Sequence, residues 1–354
     1  MVTVIGTTFP ANWQYGPEEI EIFQSTEIQI NQHFPDQRNL LINTTWFGPQ
    51  FDNSEWAKVQ RLIANKETFD NLFLLSVIDP LYLSDKDTAY LECNLQTTAT
   101  YRIGMFEHSK YEWNFHSVVG AKYCPDLTAQ EVKLTWPEYT FLLYQRKPRR
   151  HRVELTHLLI ERGHDTNGII TLGSNKNSSY DWSEGLGSKL MTIEDLPSNY
   201  KHNGRHDDFG GVPNDLVTLG RLDIWQRHFL NVVSETQFNN WDPTFITEKT
   251  WKPIIGLRPF VIHGQRNVYS WLQNNGFRTF NHYWSHIPCN TGDDQHGNVI
   301  DVIDFLCKKS KDELVCMYAD MLPVLEYNRS RFFEFAQEQK YKMDHLFTNH
   351  RSQY

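Results

Sequence analysis

Short unbroken apolar runs alternate with longer polar stretches along this chain. Leu40-Leu41-Ile42-Asn43, Leu72 to Ile78 and Tyr101 to Phe106 read as strands, the last two ending at Asp79-Pro80 and Glu107-His108. Runs that stay apolar at consecutive positions predict strands buried on both faces, as in a parallel sheet covered by helices. Between them, Ser54 to Asn65 has a helical pattern with Ser54 as its N-cap. The order repeats further on. Tyr139 to Tyr144 is a strand, Val153 to Arg162 a helix with Leu155, Leu158 and Leu159 on one face, Gly163 its stop, and Ile169 to Leu172 the next strand. That is a βαβ unit. Leu230 to Val233 and Phe260 to His263 are further strands.

Ser174 to Pro213 is rich in Ser, Asn, Gly and Asp and predicts a long, partly irregular insertion. Ser310 with Glu313 forms a capping box for a helix ending near Pro323. A last helix follows, with Leu325, Phe332, Phe333, Ala336, Met343 and Phe347 at helical spacing. These patterns divide the chain into residues 1–138, residues 139–310 and a helical end, 311–354, placed to cross back onto the first part.

Composition narrows the class. The chain has 354 residues, 40% hydrophobic and 22% charged, enough for two globular domains. No apolar run reaches the length of a membrane span, and the N-terminus lacks the basic and apolar regions of a signal peptide. The five cysteines are scattered with no CxxC pair, which predicts buried thiols in a reducing cytoplasm. The sequons at Asn43, Asn177 and Asn328 are then chance matches. A net charge of -9 argues against general nucleic-acid binding and leaves room only for local basic patches.

Two segments carry chemistry. Thr247-Glu248-Lys249 sets an acid and a base at a helix start, with Thr247 as N-cap, Gly256 as stop and Pro253 forcing the helix to be short or kinked. A carboxylate there can accept from a sugar diol, and an ammonium can neutralise phosphate beside the helix N-terminus. On spacing alone an exposed acid and base in a first helical turn is the commoner reading of such a pair. Arg146-Lys147-Pro148-Arg149-Arg150-His151-Arg152 lies between a strand and a helix. Guanidinium groups at a strand's C-terminal edge can grip phosphate oxygens in pairs. By composition the turn also suits a solvated loop or a nucleic-acid patch. His151 suits either phosphate donation or plain exposure. Asp85-Lys86-Asp87 has a DxD pattern but falls in a polar segment and reads as a solvated turn. The 15 histidines show no metal-ligand spacing.

Together these motifs resemble the donor-binding signature of fucosyltransferase-like glycosyltransferases. Val232-Val233-Ser234-Glu235-Thr236 stands at the family's acid-containing turn, Phe245-Ile246-Thr247-Glu248-Lys249 at its Thr-Glu-Lys helix start, and Pro259-Phe260-Val261-Ile262 at its Pro-Val strand. Arg152-Val153-Glu154-Leu155 matches its diphosphate-binding Arg. The Arg-rich turn and the Thr-Glu-Lys-Thr-Trp-Lys-Pro-Ile run are similar to related phage and bacterial proteins. The chain departs from the family in having Thr236 where an Asn is usual.

The resemblance implies a GT-B architecture, two Rossmann-like α/β domains facing a cleft. The acceptor-side domain would be 1–138 and the nucleotide-sugar domain 139–310. It implies a metal-independent, inverting sugar transfer without a cofactor, from a GDP-sugar such as GDP-fucose to an acceptor hydroxyl. Arg146, Arg149, Arg152, Ser234, Glu235, Thr247, Glu248 and Lys249 would bind the donor. Glu248 would hold the ribose, Arg152 and Lys249 the diphosphate, and Glu235 would touch the donor sugar or orient Lys249. Inversion needs a base, and the strand-end acids Glu107 and Asp79 are the two candidates. A hydroxymethylated DNA base as acceptor, and a non-catalytic nucleotide- or glycan-binding protein of this fold, are the alternatives.

Overall fold

Two parallel sheets organise the chain in the computed structural model. The structure describes residues 2–6, 16–44, 54–77, 85–104, 111–123, 127–145, 149–172, 219, 222–238, 244–285, 287 and 295–347. The expected insertion between Ser174 and Pro213 lies outside them. The chain divides into two compact units, Met1–Val119 with Ala336–Tyr354, and Gly120–Phe335.

The first unit runs β1 (Val2–Ile5), α1 (Gly16–His33), β2 (Asn39–Asn43), α2 (Ser54–Ala64), β3 (Asn71–Ser76), α3 (Asp85–Leu95), β4 (Ala99–Gly104), β5 (Tyr111–Glu112) and α4 (Phe115–Tyr123). Its strands pair in parallel in the order β1-β2-β3-β4-β5. Every residue of β2 and β3 is buried, because both faces are covered. Leu40, Ile42, Leu72 and Leu74 pack with Val59 of α2 and Leu91 and Leu95 of α3. On the alternate positions, Phe73 meets Phe34, just past α1, at 5.4 Å, and Phe347 at 6.0 Å.

Phe347 belongs to the far end of the chain, so the C-terminus completes the first unit. Gln29 of α1 fastens it: its amide donates to Met343 O at 3.0 Å and accepts from Leu346 N at 2.8 Å. The Asp85-Lys86-Asp87 turn is instead the first turn of α3, where Asp85 pairs with Arg102 at 2.8 Å. Acids there favour the helix N-terminus.

The second unit runs α5 (Ala129–Val132), β6 (Tyr139–Leu143), α6 (Arg150–Glu161), β7 (Gly168–Ile170), α7 (Leu222–Trp225), β8 (His228–Ser234), α8 (Glu248–Ile255), β9 (Phe260–His263), α9 (Val268–Asn274), α10 (Gln295–Cys307) and α11 (Lys311–Asp344). The unit begins ahead of its sheet, at Gly120 rather than at Tyr139, because Leu127 and Val132 already pack in its core. Gly163 takes φ 75° just past α6, the left-handed stop expected of it.

Pro323 does not end a helix; α11 runs through it for 34 residues. Proline removes one backbone bond and crowds the preceding turn. Burial of Met321, Leu325 and Phe332 on the same helix offsets that loss. Ser310 and Glu313 do form the capping box, with Ser310 N donating to Glu313 Oε2 at 2.7 Å and Glu313 N to Ser310 Oγ at 3.2 Å.

The four strands of this sheet lie in the order β7-β6-β8-β9, all parallel. The chain leaves β6 toward β7 on one side, then returns past it to β8 and β9 on the other. The reversal lies between β6 and β8. In open α/β sheets such a point leaves a crevice outside the carboxyl ends of the two strands, where ligands bind.

Candidate anion and nucleotide site at the β6–β8 crossover

Just past the carboxyl end of β6 stand Arg149, the N-cap of α6, and Arg152 in its first turn. Ser234 ends β8, and Glu235 and Thr236 follow it. Hydrogen bonds join the two. Arg152 donates to Ser234 O at 3.0 Å and Glu235 O at 3.1 Å, and Arg149 donates to Thr236 O at 3.0 Å. Arg152 is only 2% exposed, so its guanidinium latches α6 to the end of β8 from inside. Burial and the neighbouring Arg149 lower it to about 10, which still leaves it a cation at neutral pH. Arg149 is half-buried and is the more accessible of the two.

Glu235 organises the other side. Its carboxylate is fully buried. Oε2 accepts from Thr247 Oγ1 at 2.6 Å and Thr236 N at 3.1 Å; Oε1 accepts from Thr250 Oγ1 at 2.6 Å and Thr247 N at 3.2 Å. A carboxylate has about four acceptor positions, and these bonds occupy them. Glu235 therefore anchors the start of α8 and, through Thr247, Lys249. Gly264 makes room for it: a Cβ there would lie 2.9 Å from Glu235 Cβ.

Thr247 is the N-cap of α8, accepting from Lys249 N at 3.4 Å. The helix is short, as Pro253 requires, and Gly256 caps it. Gly256 keeps φ −81°, and the left-handed step falls on Leu257, φ 51°. Lys249 Nζ reaches Thr236 Oγ1 and Thr247 Oγ1, each at 3.3 Å, and Glu248 Oε1 at 2.5 Å. Both side chains of that ion pair retain some exposure, 22% for Lys249 and 12% for Glu248. The loop before α8 is held by Phe245 N donating to Gln265 Oε1 at 2.7 Å.

Seven of the expected donor-site residues, Arg149, Arg152, Ser234, Glu235, Thr247, Glu248 and Lys249, thus meet at one crossover. Arg146, Asp79 and Glu107 lie outside the described residues. Four residues that the motif reading did not select join the group: Thr250, Phe238, His263 and His296. His263 ends β9 and His296 sits in α10, and nothing in either local sequence marks them. His151 lies here as well, half-buried and stacked on Phe238 with ring centroids 4.9 Å apart. Its Nε2–H donates to Glu235 O at 3.2 Å. Burial, with Arg152 beside it, pushes His151 down to about 3.

The arrangement collects cations and two helix starts at one sheet edge, with a carboxylate, Glu248, near the cations. It suits an anionic ligand that also carries hydroxyls. Among the described residues no cluster of His, Cys, Asp or Glu is placed to hold a metal ion, and no helix is long and apolar enough to cross a membrane. No protein-family model, curated protein or solved structure matches this chain.

Proposed function

We propose that this chain is a metal-independent glycosyltransferase that takes a nucleotide-sugar donor and transfers the sugar, with inversion, to an acceptor hydroxyl. The observation that carries the reading is the meeting of Arg149, Arg152 and Lys249 with Glu248 at the β6–β8 crossover. A leaving diphosphate needs fixed positive charge that is in place before the bond breaks. Lys249 and Arg149, both partly exposed, supply direct contacts; the buried Arg152 adds its charge and holds the strand end. Glu248 accepts from the ribose hydroxyls once Lys249 turns to phosphate. Glu235 keeps the start of α8 in position.

The GT-B arrangement belongs to this reading, with the first unit on the acceptor side. The proton acceptor would be Glu107 or Asp79, each following closely on the carboxyl end of a first-unit strand, β4 or β3. The resemblance favours a GDP-sugar such as GDP-fucose. A thermal-shift screen of GDP-, UDP-, CMP- and dTDP-sugars tests the donor: one selective ligand should raise the melting temperature, by about 2.7 kcal/mol of linkage at a hundredfold excess over Kd. With the donor in hand, transfer should survive EDTA and vanish in Glu107→Gln or Asp79→Asn with donor binding intact. Binding without transfer to any acceptor hydroxyl would reduce the protein to a nucleotide-sugar binder.

A further inference from the structure

Beyond the cations, four rings gather at the same sheet edge from four separate places in the chain. His151 opens α6, Phe238 follows β8, His263 ends β9 and His296 lies in α10. Phe238 is the hub. It stacks on His151 at 7° between planes and meets His263 at 4.6 Å and His296 at 5.0 Å. His263 and His296 touch at 4.6 Å. The group adjoins the cations directly, since the carbonyl of Glu235 accepts from both His151 and Arg152.

Charge and hydrogen bonding make this more than packing. His263 is fully buried. Its Nδ1 lies 3.3 Å from Ser234 Oγ, while its Nε2 has no hydrogen-bond partner among the described residues. Burial holds it neutral, and His151 likewise. A neutral His263 carries one ring proton: where Ser234 donates to Nδ1, Nε2 is a buried donor, and where Nδ1 donates to Ser234, Nε2 is a buried acceptor. Either way a buried ring nitrogen is unfavourable unless something pairs with it. An uncharged aromatic surface with one buried, unpaired ring nitrogen, beside a group of cations, matches a planar heterocycle that carries its own donors and acceptors and is attached to a phosphate chain.

We propose that His151, Phe238, His263 and His296 form the nucleobase subsite of the donor pocket, Phe238 supplying the stacking face and His263 Nε2 a hydrogen bond to the base. This rests on the diphosphate reading of the adjoining cations. The alternative source of the same affinity is the diphosphate alone, and the two separate cleanly.

The test compares inorganic pyrophosphate with GDP, UDP, CDP and ADP by calorimetry on the full chain. One nucleoside diphosphate should bind at least about tenfold more tightly than pyrophosphate, as stacking on an aromatic side chain provides. Phe238→Ala should erase that margin and leave pyrophosphate affinity unchanged; Phe238→Trp should restore it. His263→Phe, which keeps a ring in the core, should weaken the preferred nucleotide and not pyrophosphate. Equal binding of all five ligands overturns the subsite, as does an equal loss for both ligand classes in a Phe238→Ala protein whose melting temperature is unchanged. If pyrophosphate fails to bind while nucleotide affinity still depends on Phe238, the base subsite stands and the diphosphate reading falls. Binding of neither class overturns both.

Discussion

Glu235 and Thr247 are joined twice, side chain to side chain at 2.6 Å and backbone N–H to carboxylate at 3.2 Å. The bonds tie the end of β8 to the N-cap of α8. The acid is not part of a surface ion pair; it is the buried anchor that fixes where the first turn of α8 begins. Lys249, two residues into that turn, inherits its position from this contact.

Glu235→Gln tests the anchor. An amide nitrogen in place of either oxygen faces two donors, since each oxygen accepts two bonds. The expected loss of stability is about 1–3 kcal/mol, from donors left unpaired in the core. Thr250→Val removes only one of the four bonds and should cost less. Both are read by urea denaturation. An unchanged midpoint in Glu235→Gln would remove the anchoring role.

Arg149 and Arg152 should separate by phenotype. Arg149→Ala loses one bond to Thr236 O from a half-buried side chain. It should weaken pyrophosphate binding about fivefold or more, in the range of a charge-assisted contact, with little change in melting temperature. Arg152→Ala opens a buried space and strips the carbonyls of Ser234 and Glu235 of a shared donor. It should lower the melting temperature as well as the affinity. Calorimetry paired with thermal melts checks this, and the opposite assignment of the two phenotypes would refute it.

Much of this geometry could be read beforehand. β2, β3, β6, β8 and β9 appeared as apolar runs because these parallel strands bury both faces, whereas β4 is buried only at Ile103 and Gly104; Thr247 and Ser310 appeared as caps because capping is local. What escaped depended on distant partners. Pro323 looked like a terminus because local rules stop a helix at proline, whereas tertiary burial carries α11 through it. His263 and His296 are 33 residues apart by their numbers and meet only when β9 and α10 pack. Glu235 stood open between touching the donor sugar and orienting Lys249, because the donors that occupy its carboxylate, Thr247 and Thr250, lie on another element.

Glu248→Gln should act in two directions. Its carboxylate holds Lys249 at 2.5 Å. Neutralising it frees the ammonium, so inorganic pyrophosphate should bind as tightly or more tightly. On the proposed role of Glu248 as acceptor for the ribose hydroxyls, a ribonucleoside diphosphate should lose affinity relative to pyrophosphate. A deoxyribonucleoside diphosphate lacking one hydroxyl should lose less. Equal losses for all three ligands would show that Glu248 acts only on the helix start.

Histidines predict the response to acid. His151, His228 and His263 are held below the ordinary imidazole range, each chiefly by burial; His151 lies at about 3. Above pH ~6.5 these rings are neutral in folded and unfolded chains alike and contribute no pH dependence. Below it, the unfolded chain takes up protons that the folded chain refuses, so stability falls as the pH drops from ~6.5 toward His151's value of about 3. His151→Gln keeps an N–H for the carbonyl of Glu235 and removes one such group. Its unfolding free energy, measured in urea at pH 7 and pH 5, should fall less between the two than that of the parent. A bound diphosphate should raise His151 from about 3 by placing negative charge beside it, so that ligand binding in acid is accompanied by proton uptake at this ring. Calorimetry in buffers of different ionisation enthalpy measures that uptake, and its disappearance in His151→Gln would assign it.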